Sequence, residues 1–131
     1  MLINQKVTFD AAHRLLGYEG NCSRLHGHTW AVEVEITSEE DLDECGMLMD
    51  YRAIKMYFKN AFDHTAILNS KDPLVPLLRD LNLPVTIMEG NPTAENLANM
   101  ILEDFMNMLA PDDHVKVRIH ESAENYAEVS A

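Results

Sequence analysis

Two long stretches near the start of the chain alternate apolar and polar residues, the period of a β-strand. In residues 2–13, Ile3, Gln5, Val7, Phe9, Ala11 and His13 share one parity, and Lys6, Thr8 and Asp10 take the other. In residues 26–37, Trp30, Val32, Val34 and Ile36 alternate with Ala31, Glu33 and Glu35. Carried backwards, that alternation sets His26 and His28 on the face of Trp30. Gly17 and Gly20 break the segment between the strands, so an antiparallel pairing is expected, with His13 beside His26 and His28.

The period then changes. Ser38 to Cys45 is an acidic connector, and Met47 to Met49 is a candidate continuation of the strand pairing. Asp50 reads as an N-cap for a helix reaching about Phe62, with Ile54, Tyr57, Phe58, Ala61 and Phe62 at helical spacing. Residues 65–92 read mostly as loop, with a short helix over Leu74–Leu81 and a short extended piece over Val85–Met88. A loop of that length inside a compact domain points to function or to a partner subunit. Thr93 reads as the N-cap of a second long helix, with Glu95 in its first turn and Leu97, Met100, Ile101, Phe105 and Met108 as its buried stripe. A closing hairpin follows: Val115, Val117, Ile119 and Glu121 share a face of one strand, and the other covers about Tyr126–Val129. The order ββααββ predicts an α+β layer fold, a four-stranded antiparallel sheet with two helices packed on one face.

Composition changes this picture little. The 131 residues suit one domain, 1–131, large enough for a core without disulfide or metal staples. The net charge of −12 argues against nucleic-acid and anionic-membrane partners, while leaving room for a small anionic substrate at a local basic cluster. No apolar run is long enough to span a membrane, and the N-terminal residues lack a signal-peptide pattern. With only Cys22 and Cys45, this suggests a cytoplasmic protein with free thiols.

The candidate chemistry centres on Cys22-Ser-Arg-Leu-His26-Gly-His28. His26 and His28 with His13 form a three-imidazole set, a common protein ligand set in catalytic zinc sites with an open fourth position. Gly27 is expected to allow close backbone approach. The bland reading is surface or hydrogen-bonded histidines. Cys22 admits three readings: fourth ligand of a closed structural site, thiolate base or nucleophile, or small buried hydrophobe. Asp63-His64 reads either as a helix-end dipole contact or as a proton-transfer pair. Glu121 is either a solvated strand end or a recognition acid that accepts two N–H bonds from a pterin-like or guanine-like edge. Arg14 and Arg24, between His13 and His26, are either solvated loop charges or a phosphate-chain site.

Taken together, Phe9-Asp-Ala-Ala-His13-Arg, Cys22-x3-His26-Gly-His28, Gly46-Met-Leu-Met-Asp50-Tyr, Asp63-His64-x3-Leu68-Asn69, Pro92-Thr-Ala-Glu95-Asn and Glu121 resemble the 6-pyruvoyl-tetrahydropterin synthase / 6-carboxy-tetrahydropterin synthase family, in the family's order and over nearly the whole chain. The resemblance implies a tunnelling fold, in which subunit sheets join edge to edge into an oligomeric barrel, expected as a hexamer built as a dimer of trimers with sites where subunits meet. It implies Zn2+ on His13, His26 and His28, Cys22 as catalytic base, and Asp63 and His64 as proton-transfer partners, contributed by a different chain from Cys22. Glu121 would anchor the pterin, with Glu95 as a second contact. The three-residue gap after Cys22 is similar to that of the bacterial 6-carboxy-tetrahydropterin synthases, which act in the route to queuosine and related 7-deazaguanines. The implied reaction is zinc-dependent conversion of 7,8-dihydroneopterin triphosphate to 6-carboxy-5,6,7,8-tetrahydropterin, acetaldehyde and triphosphate. The alternatives are the pyruvoyl synthase reaction, which eliminates triphosphate and keeps the side chain, and a non-catalytic zinc module whose site is closed by one cysteine and three histidines.

Overall fold

A computed structural model describes all of residues Met1–Ala131. The two alternating stretches form β1 (Leu2–His13) and β2 (His26–Thr37), paired antiparallel. Their register sets Val7 opposite Val32, Phe9 opposite Trp30, Ala11 opposite His28 and His13 opposite His26. The closing hairpin supplies β5 (His114–Ser122) and β6 (Asn125–Ser130), with β5 antiparallel to β2. These four strands are the antiparallel unit that the alternation predicts.

The full sheet has six strands rather than four, and there are three α-helices rather than two. The extra elements lie in residues 65–92: the short helix and the extended piece expected there are present and join the fold, and β3 is the strand that was not expected. β3 (Thr65–Asn69) pairs in parallel with β1, and β4 (Val85–Met88) in parallel with β3. The seven-residue helix α2 (Leu74–Asp80) crosses between them. β3 escapes a search for alternation because its neighbours Ile67 and Leu68 are both fully buried, as in a strand covered on both faces. Met47–Met49 joins no strand.

The long helices α1 (Tyr51–Ala61) and α3 (Ala94–Met108) lie on the apolar face of the sheet. Asp50 caps α1 by accepting from the Arg52 backbone N–H at 2.8 Å, and the Thr93 hydroxyl accepts from Asn96 N–H at 3.2 Å at the start of α3. Ile54 and Phe58 of α1, with Phe62 just beyond it, meet Phe9, whose ring centroid lies 5.3 Å from that of Phe62 and 6.2 Å from that of Trp30. Leu97, Ala98, Ile101 and Phe105 are the buried stripe of α3; Met108, expected in it, is exposed in the last turn. Each of the large apolar side chains buried here contributes roughly 1.5–3 kcal/mol. The other face of the sheet is charged, with the pairs Lys6–Glu33, Lys116–Glu35 and Arg118–Glu128. No helix is long and apolar enough to cross a membrane.

Candidate metal centre and adjoining cleft

His13 and His26 are direct strand partners and His28 lies opposite Ala11, so all three imidazoles leave the sheet on the side of Trp30. Their ring centroids form a near-equilateral triangle, with separations of 4.6, 4.9 and 5.0 Å. The Trp30 ring stands edge-on at 4.9 Å from His13 and 5.5 Å from His28, a rigid apolar floor. One nitrogen of each histidine lies within 4.8 Å of the others.

The orientation of these rings is set by backbone carbonyls. His13 Nδ1–H donates to the Pro92 carbonyl at 2.8 Å, and His26 Nδ1–H to the Arg24 carbonyl at 2.6 Å. Each donation fixes the tautomer that leaves Nε2 with a free lone pair. Nε2 of His13 and Nε2 of His28 are buried without any hydrogen-bond partner. Buried polar atoms in a native fold are normally paired. Burial also pushes the His13 pKa below its ordinary value, against the pull of the Pro92 hydrogen bond, so the ring favours the neutral form that binds metals. Three imidazole nitrogens within 4.8 Å of one another, those of His13 and His28 buried and unpartnered, fit a divalent metal ion.

Beside the triad lies a cleft of about 270 Å3, whose lining includes His13, Tyr18, Cys22, Thr93, Glu95 and Glu121. Cys22 sits in a short 3-10 turn, Asn21–Ser23, as a half-buried free thiol outside the metal-ligating cluster. Cys45 is also free, and exposed. Glu121 lies where the β5–β6 register shifts between His120 and Ser122, an irregularity of the kind that re-aims side chains beside sites. Its carboxylate oxygens approach His28 Nε2 at 3.8 Å and His13 Nε2 at 3.9 Å. Glu95 enters from the first turn of α3.

Asp63 and His64 lie elsewhere in the chain. His64 lines a second cleft with Asp10, Gly27, Thr29 and the triad's own His28, so it adjoins the triad from the His28 side but does not line the cleft of Cys22. Asp63 accepts from the Asp10 backbone N–H at 3.0 Å and lies 3.2 Å from His64 Nδ1. The Asp10 hydrogen bond is the main reason the Asp63 carboxyl titrates below its ordinary range. His64 is highly exposed and holds a left-handed backbone, φ 59°, uncommon outside glycine. A methyl group at Gly27 would meet the Ala11 carbonyl at 3.6 Å, an ordinary contact, so close strand approach is not what glycine provides there. It leaves the sheet surface bare beside His64.

The two arginines differ. Arg14 makes a two-pronged ion pair with the buried Asp72, Nε to Oδ2 at 2.7 Å and Nη2 to Oδ1 at 2.5 Å. The hydrogen bonds raise the Arg14 pKa and lower that of Asp72. Arg24 is exposed, and its side chain is in no ion pair. Neither lines the cleft. Sequence reasoning passed over Tyr18 as a wall of the cleft, and Asn91, whose only visible signal was its place before a helix start.

Residues 2–131 match the model of the family described as 6-pyruvoyl tetrahydropterin synthase. The chain is 35% identical to the putative 6-carboxy-5,6,7,8-tetrahydropterin synthase of Pyrococcus abyssi, over 93% of this chain and 85% of that one. It is 30% identical to the 6-carboxy-5,6,7,8-tetrahydropterin synthase of Haemophilus influenzae, over 96% of each chain. In structure it resembles an uncharacterized protein of Wolinella succinogenes, with a TM-score of 0.79 at 23% identity over 98% of this chain and 97% of that one. Plasmodium falciparum 6-pyruvoyl tetrahydropterin synthase shares the fold, with a TM-score of 0.67 at 17% identity over 99% and 98%. The match over nearly the whole chain, on a fold the solved structures share, means that the chain belongs to the 6-pyruvoyl tetrahydropterin synthase family.

Proposed function

We propose that this protein is a zinc-dependent carbon–carbon lyase of the cytoplasm that converts 7,8-dihydroneopterin triphosphate to 6-carboxy-5,6,7,8-tetrahydropterin, acetaldehyde and triphosphate, in the route to queuosine. The observation that carries this reading is the convergence on one cleft of His13, Cys22, Glu95 and Glu121. The relatives named for this reaction, and the three-residue gap between Cys22 and His26, support the carboxy-forming branch of the family.

His13, His26 and His28 would hold the zinc ion, through nitrogens that lie within 4.8 Å of one another. When bound, zinc supplies Lewis acidity toward side-chain oxygens of the substrate, lowering the pKa of neighbouring C–H and O–H groups. Glu121, with Glu95, accepts N–H bonds from the 2-amino/N3 edge of the pterin ring. That contact brings one carbon of the side chain to the Cys22 thiolate, which removes a proton. His64, oriented by Asp63, returns a proton elsewhere on the substrate.

In this scheme Cys22 and the Asp63–His64 pair of one active site belong to two different subunits; within one chain His64 does not line the Cys22 cleft, the two clefts adjoining the triad at His28 and at His13. Two further features support a homo-oligomer, a hexamer made as a dimer of trimers. The cleft is open on one side, as a site completed by a neighbouring subunit would be. Both β4 and β6 end the sheet with unpaired edges, the feature that edge-to-edge assembly satisfies. Arg24, free of ion pairs, is the phosphate-binding candidate; Arg14 reaches phosphate only by leaving Asp72.

Product analysis separates the readings. Acetaldehyde released in step with the carboxypterin supports the lyase reaction. A 6-pyruvoyl product without acetaldehyde assigns the chain to the pyruvoyl reaction instead. A closed zinc module would show a Zn–S distance of ~2.3 Å by X-ray absorption, where the proposed site has nitrogen and oxygen ligands only.

A further inference from the structure

The Asn91-Pro92-Thr93 segment does more than open α3. The side-chain amide of Asn91 pairs with both backbone groups of Leu16: Leu16 N–H donates to Asn91 Oδ1 at 3.0 Å, and Asn91 Nδ2 donates to the Leu16 carbonyl at 2.9 Å. One asparagine thus stands in for a neighbouring strand at a loop position 75 residues away in the chain. Leu15, the residue before, donates its N–H to the Cys22 carbonyl at 2.9 Å and so closes the loop that bears the thiol. On its other side, Asn91 precedes Pro92, whose carbonyl receives the His13 Nδ1–H. The Asn91 carbonyl is itself held by Asn96 Nδ2 at 2.9 Å and Thr93 N–H at 2.8 Å, which ties it to the turn that carries Glu95. Asn69 Nδ2 adds a further, longer contact to Asn91 Oδ1 at 3.3 Å.

We propose that Asn91 is a positioning residue that joins the Cys22 loop to the Pro92 carbonyl, so that the thiol and the His13 imidazole keep one fixed relation. Asn91 is absent from the cleft lining, and its influence runs through Leu16 and Pro92. In its metal arm this inference rests on the zinc site proposed above. Partners that orient a ligating histidine are typically worth 10–100-fold in metal affinity. Without the Asn91 amide, the Leu16 N–H and carbonyl lose their partner, and the loop is free to turn toward water.

The test uses the full chain with Asn91→Ala and Asn91→Asp. Asp keeps the acceptor for the Leu16 N–H and loses the donor for its carbonyl. Zinc affinity is measured by competition with a chromophoric chelator. Iodoacetamide alkylation is followed in chelator-treated protein at Cys22 and Cys45 separately, by peptide mass. We expect Asn91→Ala to bind zinc up to roughly 10-fold more weakly, the low end for a residue one step removed from the partner of His13, and to alkylate faster at Cys22 alone, with Asn91→Asp between it and the parent. Cys45, remote and already exposed, is the internal control. A parental Cys22 rate, or parental zinc affinity, in a variant whose melting temperature alone has dropped overturns the inference and leaves Asn91 as a loop staple. If the parent protein takes up no zinc, the metal-site reading fails, and the alkylation arm decides the role of Asn91 by itself. Should Asn91→Ala lose its circular dichroism signal, Asn91→Asp carries the same measurements.

Discussion

Replacing His28 by leucine separates the stability of the metal-free fold from its capacity to bind metal. His28 Nε2 is buried without a partner, a state that costs about 1–3 kcal/mol for a neutral polar atom. With a quarter of the side chain exposed (25%), the lower end applies. Leucine fills a similar volume beside Trp30, whose ring lies 5.5 Å from that of His28. Without metal, His28→Leu should therefore match the parent or exceed it by about 1 kcal/mol. For 131 residues the unfolding entropy is about 0.28 kcal/mol/K, so 1 kcal/mol corresponds to about 3–4 °C. Zinc acts in the opposite sense. At a free concentration one hundred times its Kd it should stabilise the parent by about 2.7 kcal/mol, or roughly 10 °C. His28→Leu should lose most of that increment. Scanning calorimetry with chelator and with zinc reads both quantities. An equal zinc increment in parent and variant would show that His28 is not a ligand. A chelated variant melting well below the chelated parent would show that the imidazole is stabilising in its own right.

Four further outcomes follow from the same geometry. Cys22→Ala should abolish turnover while leaving bound zinc unchanged by metal analysis; loss of zinc with the thiol would make Cys22 a ligand. Inactive Cys22→Ala and His64→Ala subunits, mixed one to one and reassembled, should regain up to about a quarter of parental activity, the share of interfaces that pair an intact Cys22 with an intact His64. No recovery would mean that each site is complete within one chain. Asp72→Ala should destabilise by about 1.5–3 kcal/mol near neutral pH, because it leaves Arg14 without its carboxylate. The Asp72 pKa is lowered in the fold, so its stabilisation is present above the ordinary carboxyl range and lost as pH falls through the lowered value. In urea melts the variant should show a flatter acid limb than the parent; parallel limbs would count against the pair. The lowered His13 pKa has the same sign, so the metal-free protein should begin to lose stability as pH falls below about 6.5.

Much of the site could be read from period alone. Alternation set the ends of β1 and β2, and antiparallel pairing then brought His13 beside His26 before any contact was known. The caps at Asp50 and Thr93 were legible because a short polar side chain before an apolar helical stripe has one common use. What stayed hidden has physical reasons. Ile67 and Leu68 of β3 are buried side by side, so the strand has no alternation to find, and without it the short helix α2 and the extended piece at Val85–Met88, both legible, could not be read as a parallel crossover. The role of Arg14 depends on Asp72, 58 residues away, which no local pattern announces. The separation of Asp63–His64 from Cys22 follows from where the turn after α1 ends, beside Asp10 and on the His28 side of the triad, set by the β1–β3 pairing. The β5–β6 register shift beside Glu121 is likewise invisible to parity, although parity alone sent its carboxylate to the right side.

The most direct test of the account is turnover of 7,8-dihydroneopterin triphosphate by the parent protein, followed by mass analysis after chelation and after zinc is restored. The account predicts 6-carboxy-5,6,7,8-tetrahydropterin and acetaldehyde in equal amounts, no product in the chelated sample, and recovery with zinc. Undiminished turnover in the chelated, metal-free protein, or a product that retains the three-carbon side chain, would contradict it.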